Sequence, residues 1–136
     1  MPPYINKRIP LRSERGQAMT ELALILPVLA LLLFGIVQFG IVFHQYITLT
    51  DAVRAGARKA VVSRHDASPA GTAEAAVRKA AGGLDAAKLS VSVSAPAGWN
   101  PADDVTVCAS YPYKIDLVGM VFKTGNFNSC TTERIE

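Results

Sequence analysis

Few of the ingredients of a chemical site are present in this chain. Two histidines, two cysteines and one tryptophan serve 136 residues. His44 and His65 lie far apart in sequence, so no zinc-type centre, and no metal site of any kind, is expected. No serine or cysteine stands in a recognisable nucleophile motif, which leaves no basis for an enzyme and no call for a cofactor. Asp103-Asp104, following Asn100, has the composition of a calcium turn, but paired acids in a turn are more often simply solvated. Acidic residues are almost missing from the first fifty positions: after Glu14 and Glu21 the next is Asp51. A secretory cleavage site is missing too. The small residues around Ala55-Gly56-Ala57 lie too far beyond the apolar run, and among charges. There are no repeats and no low-complexity tract.

The positive charge is also missing from most of the chain. The sequence pI of about 9.0 suggests a nucleic-acid partner until the charges are located. Residues 1–16 hold Lys7, Arg8, Arg12 and Arg15 against Glu14, which accounts for the whole net charge of +3. The remainder balances, with ten basic and ten acidic groups. Without a clustered basic face on the folded part, nucleic-acid binding is excluded.

What the chain does have is a long apolar run. From Leu22 to Phe43 there are 22 residues, and Gln38 is the only strongly polar side chain among them. At 1.5 Å per residue this spans roughly 30 Å, the thickness of a bilayer's hydrocarbon. A basic flank before such a helix predicts the N-terminus in the cytoplasm and the C-terminal part outside. The leader, residues 1–16, carries three prolines and no apolar periodicity, and is expected to lack regular structure. From Gln17 to Val62 no strong stop signal interrupts one long helix, with its membrane part at 22–43. Pro27 removes one backbone donor and should kink or loosen a turn. Gly35 and Gly40 add local freedom or room for another helix.

Beyond the membrane run, residues 63–136 make a small extracytoplasmic α+β domain. Leu49, Ala52, Val53, Gly56, Ala60 and Val61 form a stripe of small residues on the outer half of the helix. Something packs closely on that stripe, either the chain's own domain or neighbouring copies. Ser68-Pro69 is an N-cap followed by a first-turn proline. The helix it starts has an apolar face of Ala73, Ala76, Val77, Ala80 and Leu84, and ends at Gly82-Gly83. Leu89, Val91, Val93 and Ala95 alternate with serines as a strand, as do Val105, Val107, Ala109 and Tyr111 with polar neighbours. In that phase Cys108 points away from the apolar face. Pro112 should end regular pairing or mark an edge. Ile115 to Phe122 reads as a short helix or loop, and Cys130 to Glu136 as a last strand. Trp99 either plugs the small core or offers an exposed contact. Cys108 and Cys130 face an oxidising compartment on this topology, which predicts a disulfide. Closing a loop of 23 residues stabilises by about 3 kcal/mol in the chain-entropy model. The other reading is two separately buried thiols.

The junction of leader and apolar run carries the most specific pattern. Gly16 stands five residues before Glu21 in Arg15-Gly16-Gln17-Ala18-Met19-Thr20-Glu21, and the apolar run follows at once. A carboxylate at the lip of a bilayer is costly and by default marks a function. This arrangement resembles the type IV prepilin class, in which an aspartyl peptidase cuts after the glycine. Gly35-Ile36-Val37-Gln38-Phe39-Gly40, Ala52-Val53-Arg54-Ala55-Gly56-Ala57-Arg58 and, more loosely, Thr132-Glu133-Arg134-Ile135-Glu136 are similar to the TadE-like proteins of tight-adherence (Tad) pili. Members of that family often have Glu where this chain has Gln38, so no charged role is transferred to that position.

The resemblance implies a pilin-like α+β fold, with a small antiparallel sheet packed on the outer half of the long helix. Gly16 is then the residue before the cut and Gln17 the new N-terminus. Glu21 is the assembly residue that neutralises a neighbouring subunit's terminal amine. The implied function is that of a minor pilin (pseudopilin) in an adhesive pilus. Its implied partners are a prepilin peptidase, other pilin and pseudopilin subunits, the inner-membrane assembly platform and the bilayer, and its place is the bacterial inner membrane. The alternative is an uncleaved single-pass envelope protein that acts as a scaffold or docking module.

Overall fold

The computed structural model describes residues 14–117 and 119–136. Most of the leader, residues 1–13, lies outside the described residues; its last three, Glu14 to Gly16, are helical where no regular structure was expected, so α1 starts before Gln17. The order of elements is α1 (Glu14–Val62), α2 (Pro69–Ala80), β1 (Ser90–Ser94), β2 (Asp104–Leu117) and β3 (Met120–Arg134). The chain divides into two compact units, Met1–Phe34 and Gly35–Glu136.

In the first unit α1 stays helical through Pro27, whose missing donor does not end it. Its large apolar side chains face outward all round: Leu24 is 75 % exposed and Phe34 57 %. No soluble surface carries so continuous an apolar patch. The helix is long and apolar enough to cross a membrane, as the sequence predicts.

In the second unit the small-residue stripe of α1 becomes one wall of a core. Leu49, Ala52, Val53, Ala57 and Ala60 are fully buried, together with Ala73 and Val77 of α2 and Val105 and Val107 of β2. The stripe is therefore used within the chain. Ala57 and Ser63 also belong to it. The contact is closest at Gly56. A Cβ there would stand 2.2 Å from Val77 Cγ2 and 3.2 Å from the Ala73 carbonyl oxygen. Val77 is buried and β-branched, so it has little room to give way. Gly56→Ala should gain about 1 kcal/mol of helix propensity yet lose more to overpacking, which costs about 1–3 kcal/mol. Urea unfolding of the second unit, followed by Trp99 fluorescence, should show net destabilisation. Equal or higher stability would mean that α1 and α2 do not approach this closely.

α2 starts as its sequence dictates. The Ser68 side chain accepts from the Gly71 N–H, and Pro69 opens the first turn. Its expected face holds at Ala73, Val77 and Leu84, but at its end the C-cap residue Ala81 is buried and Ala80 exposed. The turn that follows is held by Asp85. Its carboxylate accepts from the Ala87 N–H and lies 3.2 Å from Lys88 Nζ. These contacts, the backbone bond first, hold the Asp85 carboxyl below its ordinary range.

The sheet is antiparallel in the order β1-β2-β3. Val107 sits between Val93 and Thr131, and Cys108 between Ser92 and Cys130. One face buries Val105, Val107, Ala109 and Tyr111 against the helices, and the other presents Ser90, Ser92, Ser110 and Asn128. Cys108 and Cys130 are joined in a disulfide on that outer face. Thr106 and Thr132 share a hydroxyl hydrogen bond of 2.8 Å beside them. Trp99 is half-buried against the core, nearer to the plug than to the exposed contact.

Two expectations change. Ile115 to Phe122 is neither helix nor loop: β2 continues to Leu117 and β3 begins at Met120, so the segment is the end of a long hairpin. The last strand therefore starts ten residues before Cys130. Pro112 does not stop pairing with β3, where it faces Asn126. β1 ends opposite Ser110, however, so at Pro112 the other side of β2 is an edge that needs no N–H donor. Gly125 leaves room for Tyr113 to fold across it, its hydroxyl oxygen 2.8 Å from where a Cβ would stand, and to stack on Phe127 at 4.3 Å.

Candidate processing and assembly site

Gly16, Gln17 and Glu21 occupy the first turns of α1, and all three are exposed. Residues four apart on a helix share a face. Gln17 Nε2 accordingly donates to Glu21 Oε1 at 3.3 Å. Thr20 Oγ1 donates to the carbonyl oxygens of Gly16, at 3.1 Å, and of Gln17, at 2.8 Å. The hydroxyl thus shares its one proton between the carbonyl of the Gly16–Gln17 peptide and that of the peptide after it. Thr20 carries no motif signal of its own; only its i−4 and i−3 spacing to the junction points to it.

Several features suit an encounter with another protein or a lipid surface. The bond lies near a helix N-terminus, where helices fray and proteases find access. A Cβ at Gly16 would meet nothing within 4 Å, so the fold itself does not require glycine there. A carboxylate in the opening turns of a helix is favoured by the helix dipole. A new N-terminal ammonium at Gln17 would add a positive charge on the face that Glu21 occupies.

The remaining residues singled out from sequence belong to the second unit. Cys108 and Cys130 form a crosslink rather than a reactive pair. Asp103 Oδ2 accepts from both the backbone N–H and the side-chain amide of Asn100, and Asp104 lies 3.5 Å from Arg134. Those acids hold a turn. Among the described residues no three His, Cys, Asp or Glu side chains gather as metal ligands. The Tyr46 ring packs edge-on against Phe127 at 5.4 Å. Gln38 Nε2 donates to the Lys114 carbonyl oxygen at 3.4 Å, a contact across 76 residues that no local pattern announces.

Residues 16–58 match the family model described as TadE-like protein. The matched segment begins at Gly16, takes in the apolar run and ends inside the small-residue stripe. No curated protein and no solved structure matches the chain.

Proposed function

We propose that this chain, TadE-like over residues 16–58, is a minor pilin (pseudopilin) of a Tad-type adhesive pilus, processed by a prepilin peptidase between Gly16 and Gln17. The observation that carries the reading is the coincidence at the start of the match. It opens on the glycine, five residues before Glu21 and just ahead of the apolar stretch of α1 whose surface is exposed. In this reading the basic leader holds the precursor in the inner membrane with Gly16 at the cytoplasmic face. Cleavage creates an ammonium at Gln17, and Glu21 offsets its desolvation when subunits pack. α1 is the assembly element, first in the bilayer and then among the helices of other pilin subunits and the assembly platform. The second unit supplies specificity toward partners and catalyses nothing.

One observation favours the uncleaved envelope scaffold instead. The Gly16–Gln17 bond lies within α1, which starts at Glu14, so the first turn must unwind before a peptidase can hold the bond extended. The N-terminal sequence and intact mass of the protein from its own cell membranes decide between the two. A chain that starts at Gln17 supports the minor pilin. A chain that keeps Arg15-Gly16 in cells with an active prepilin peptidase supports the scaffold.

A further inference from the structure

The β2–β3 hairpin extends well beyond β1, and three contacts fix its course along α1 within the second unit. Val107 Cγ1 stands 3.5 Å from the Cβ position of Gly56. Phe127, paired with Tyr111, lies against Tyr46. The Lys114 carbonyl accepts from Gln38. From Val107 to Lys114 the strand covers about 23 Å, and from Gly56 back to Gln38 the helix covers about 27 Å. The two run alongside each other in opposite directions, and the hairpin returns to a level inside the apolar run.

Its tip continues past that level by at most three residues of strand, or about 10 Å. The tip is apolar and outward-facing: Met120 is 64 % exposed, Val121 53 % and Phe122 63 %. Successive strand residues point to opposite faces, so Met120 and Val121 put apolar surface on both faces of the tip, beside Asp116, which pairs with Val121. Packing on α1 alone would need only one. The register passes from Ile115↔Lys123 to Asp116↔Val121, which leaves Phe122 without a partner on β2 in an outward bulge. Gly119, with φ of 83°, makes the tight turn between Leu117 and Met120. Lys114 and Lys123 sit on either strand just behind the tip, level with Gln38, and Lys114 Nζ lies 3.2 Å from the Asp116 carboxylate.

We propose that the hairpin tip is a second membrane-contacting element, seated shallowly in the leaflet through which α1 leaves the bilayer. Met120, Val121 and Phe122 enter the boundary between headgroups and acyl chains, Lys123 meets the headgroup phosphates, and Lys114 neutralises Asp116 at that level. Continuity with the exposed apolar surface of α1 at Ile36, Phe39 and Phe43, and the Lys123 ammonium behind the tip, select lipid as the occupant over a second copy of the chain. The depth is limited, because the unpaired edges of a two-stranded hairpin cannot be satisfied in hydrocarbon. The bilayer edge then lies near Gln38, and the twenty residues from Ala18 to Val37 span about 30 Å. Phe39, Phe43 and Tyr46 are left to pack toward Phe127 outside the membrane. The proposal rests on the membrane reading of α1 and is independent of cleavage at Gly16.

The lone tryptophan makes the test direct. The full chain is reconstituted in vesicles of phosphatidylethanolamine and phosphatidylglycerol, with and without a fraction of lipid brominated on its acyl chains. Native Trp99 reports the second unit away from the tip. In a Trp99→Phe background, Phe122→Trp reports the tip and Leu31→Trp reports α1. Both positions are exposed, so neither substitution crowds the core. The expected result is quenching by brominated lipid at positions 31 and 122, a blue shift at 122, and no quenching of Trp99. Quenching at 31 without quenching at 122 overturns the proposal and leaves the membrane helix standing. A blue-shifted but unquenched probe at 122 also overturns it, and assigns the tip to another copy of the chain. If neither probe is quenched, the membrane reading of α1 falls and takes the proposal with it.

Discussion

With valine in place of Gly16, the chain from cells with an active prepilin peptidase should keep its leader and the cells should lose their pili. The glycine is the part of the junction that the fold does not need. A Cβ there meets no atom within 4 Å, and the position is helical. Glycine inside a helix is less stable than a residue with a side chain by about 0.5–1 kcal/mol, so by folding energetics alone the substitution is neutral or favourable. Any loss of processing therefore reports recognition of the bond and not damage to the structure. Urea unfolding of the second unit should be unchanged in the variant. A mature chain starting at Gln17 despite Gly16→Val, with pili intact, would count against the prepilin mechanism.

Removing the crosslink is expected to have the largest effect on stability. Cys108→Ser with Cys130→Ser should destabilise the second unit by about 3 kcal/mol, a large share of the roughly 5–15 kcal/mol that holds a domain together. Both sulfurs lie on the outer face of the sheet, Cys108 half-buried and Cys130 exposed, so their loss opens no core cavity. The effect acts through the unfolded chain, in which the bond closes a loop containing the whole hairpin tip. Reduction of the native protein should lower the urea midpoint by the same amount as the double substitution. If reduction leaves the midpoint unchanged, the hairpin already restrains the unfolded chain.

The legible parts of the fold were those whose signal is local or one-sided. The unbroken helix, the Ser68-Pro69 start and the alternation through β1 and the first half of β2 each follow from a few adjacent residues. The outward phase of Cys108 came from the same alternation. Ile115 to Phe122 was not legible as strand because a period of two marks a strand only when one face is buried and the other exposed, whereas Ile115, Asp116 and Leu117 are all half-buried and Met120 to Phe122 all exposed. Most of β3 was hidden for a related reason. Its positions facing the helices include Gly125, Ser129 and Thr131, which leave Phe127 nearly alone as an apolar signal. In α2 a run of alanines fits two phases almost equally, and packing chose Ala81 over Ala80. Gly16 and Glu21 stand out only by their order relative to the apolar run. Their exposed geometry would not have singled them out.

Ile135 belongs to the same buried cluster as Leu49 and Val53. It is pinned there by two backbone hydrogen bonds of 2.8 Å, one with Ala102 and one with Asp103. Such long-range closure is slow, on the order of milliseconds to seconds for sheet-rich topologies. During synthesis, which runs from the N-terminus, the helix stripe emerges well before the segment that seals it. For that interval Gly56 and its small neighbours form an open seat for any helix of similar shape. Whether the chain closes on itself or another helix takes the seat is then a race between its own folding rate and the local concentration of such helices.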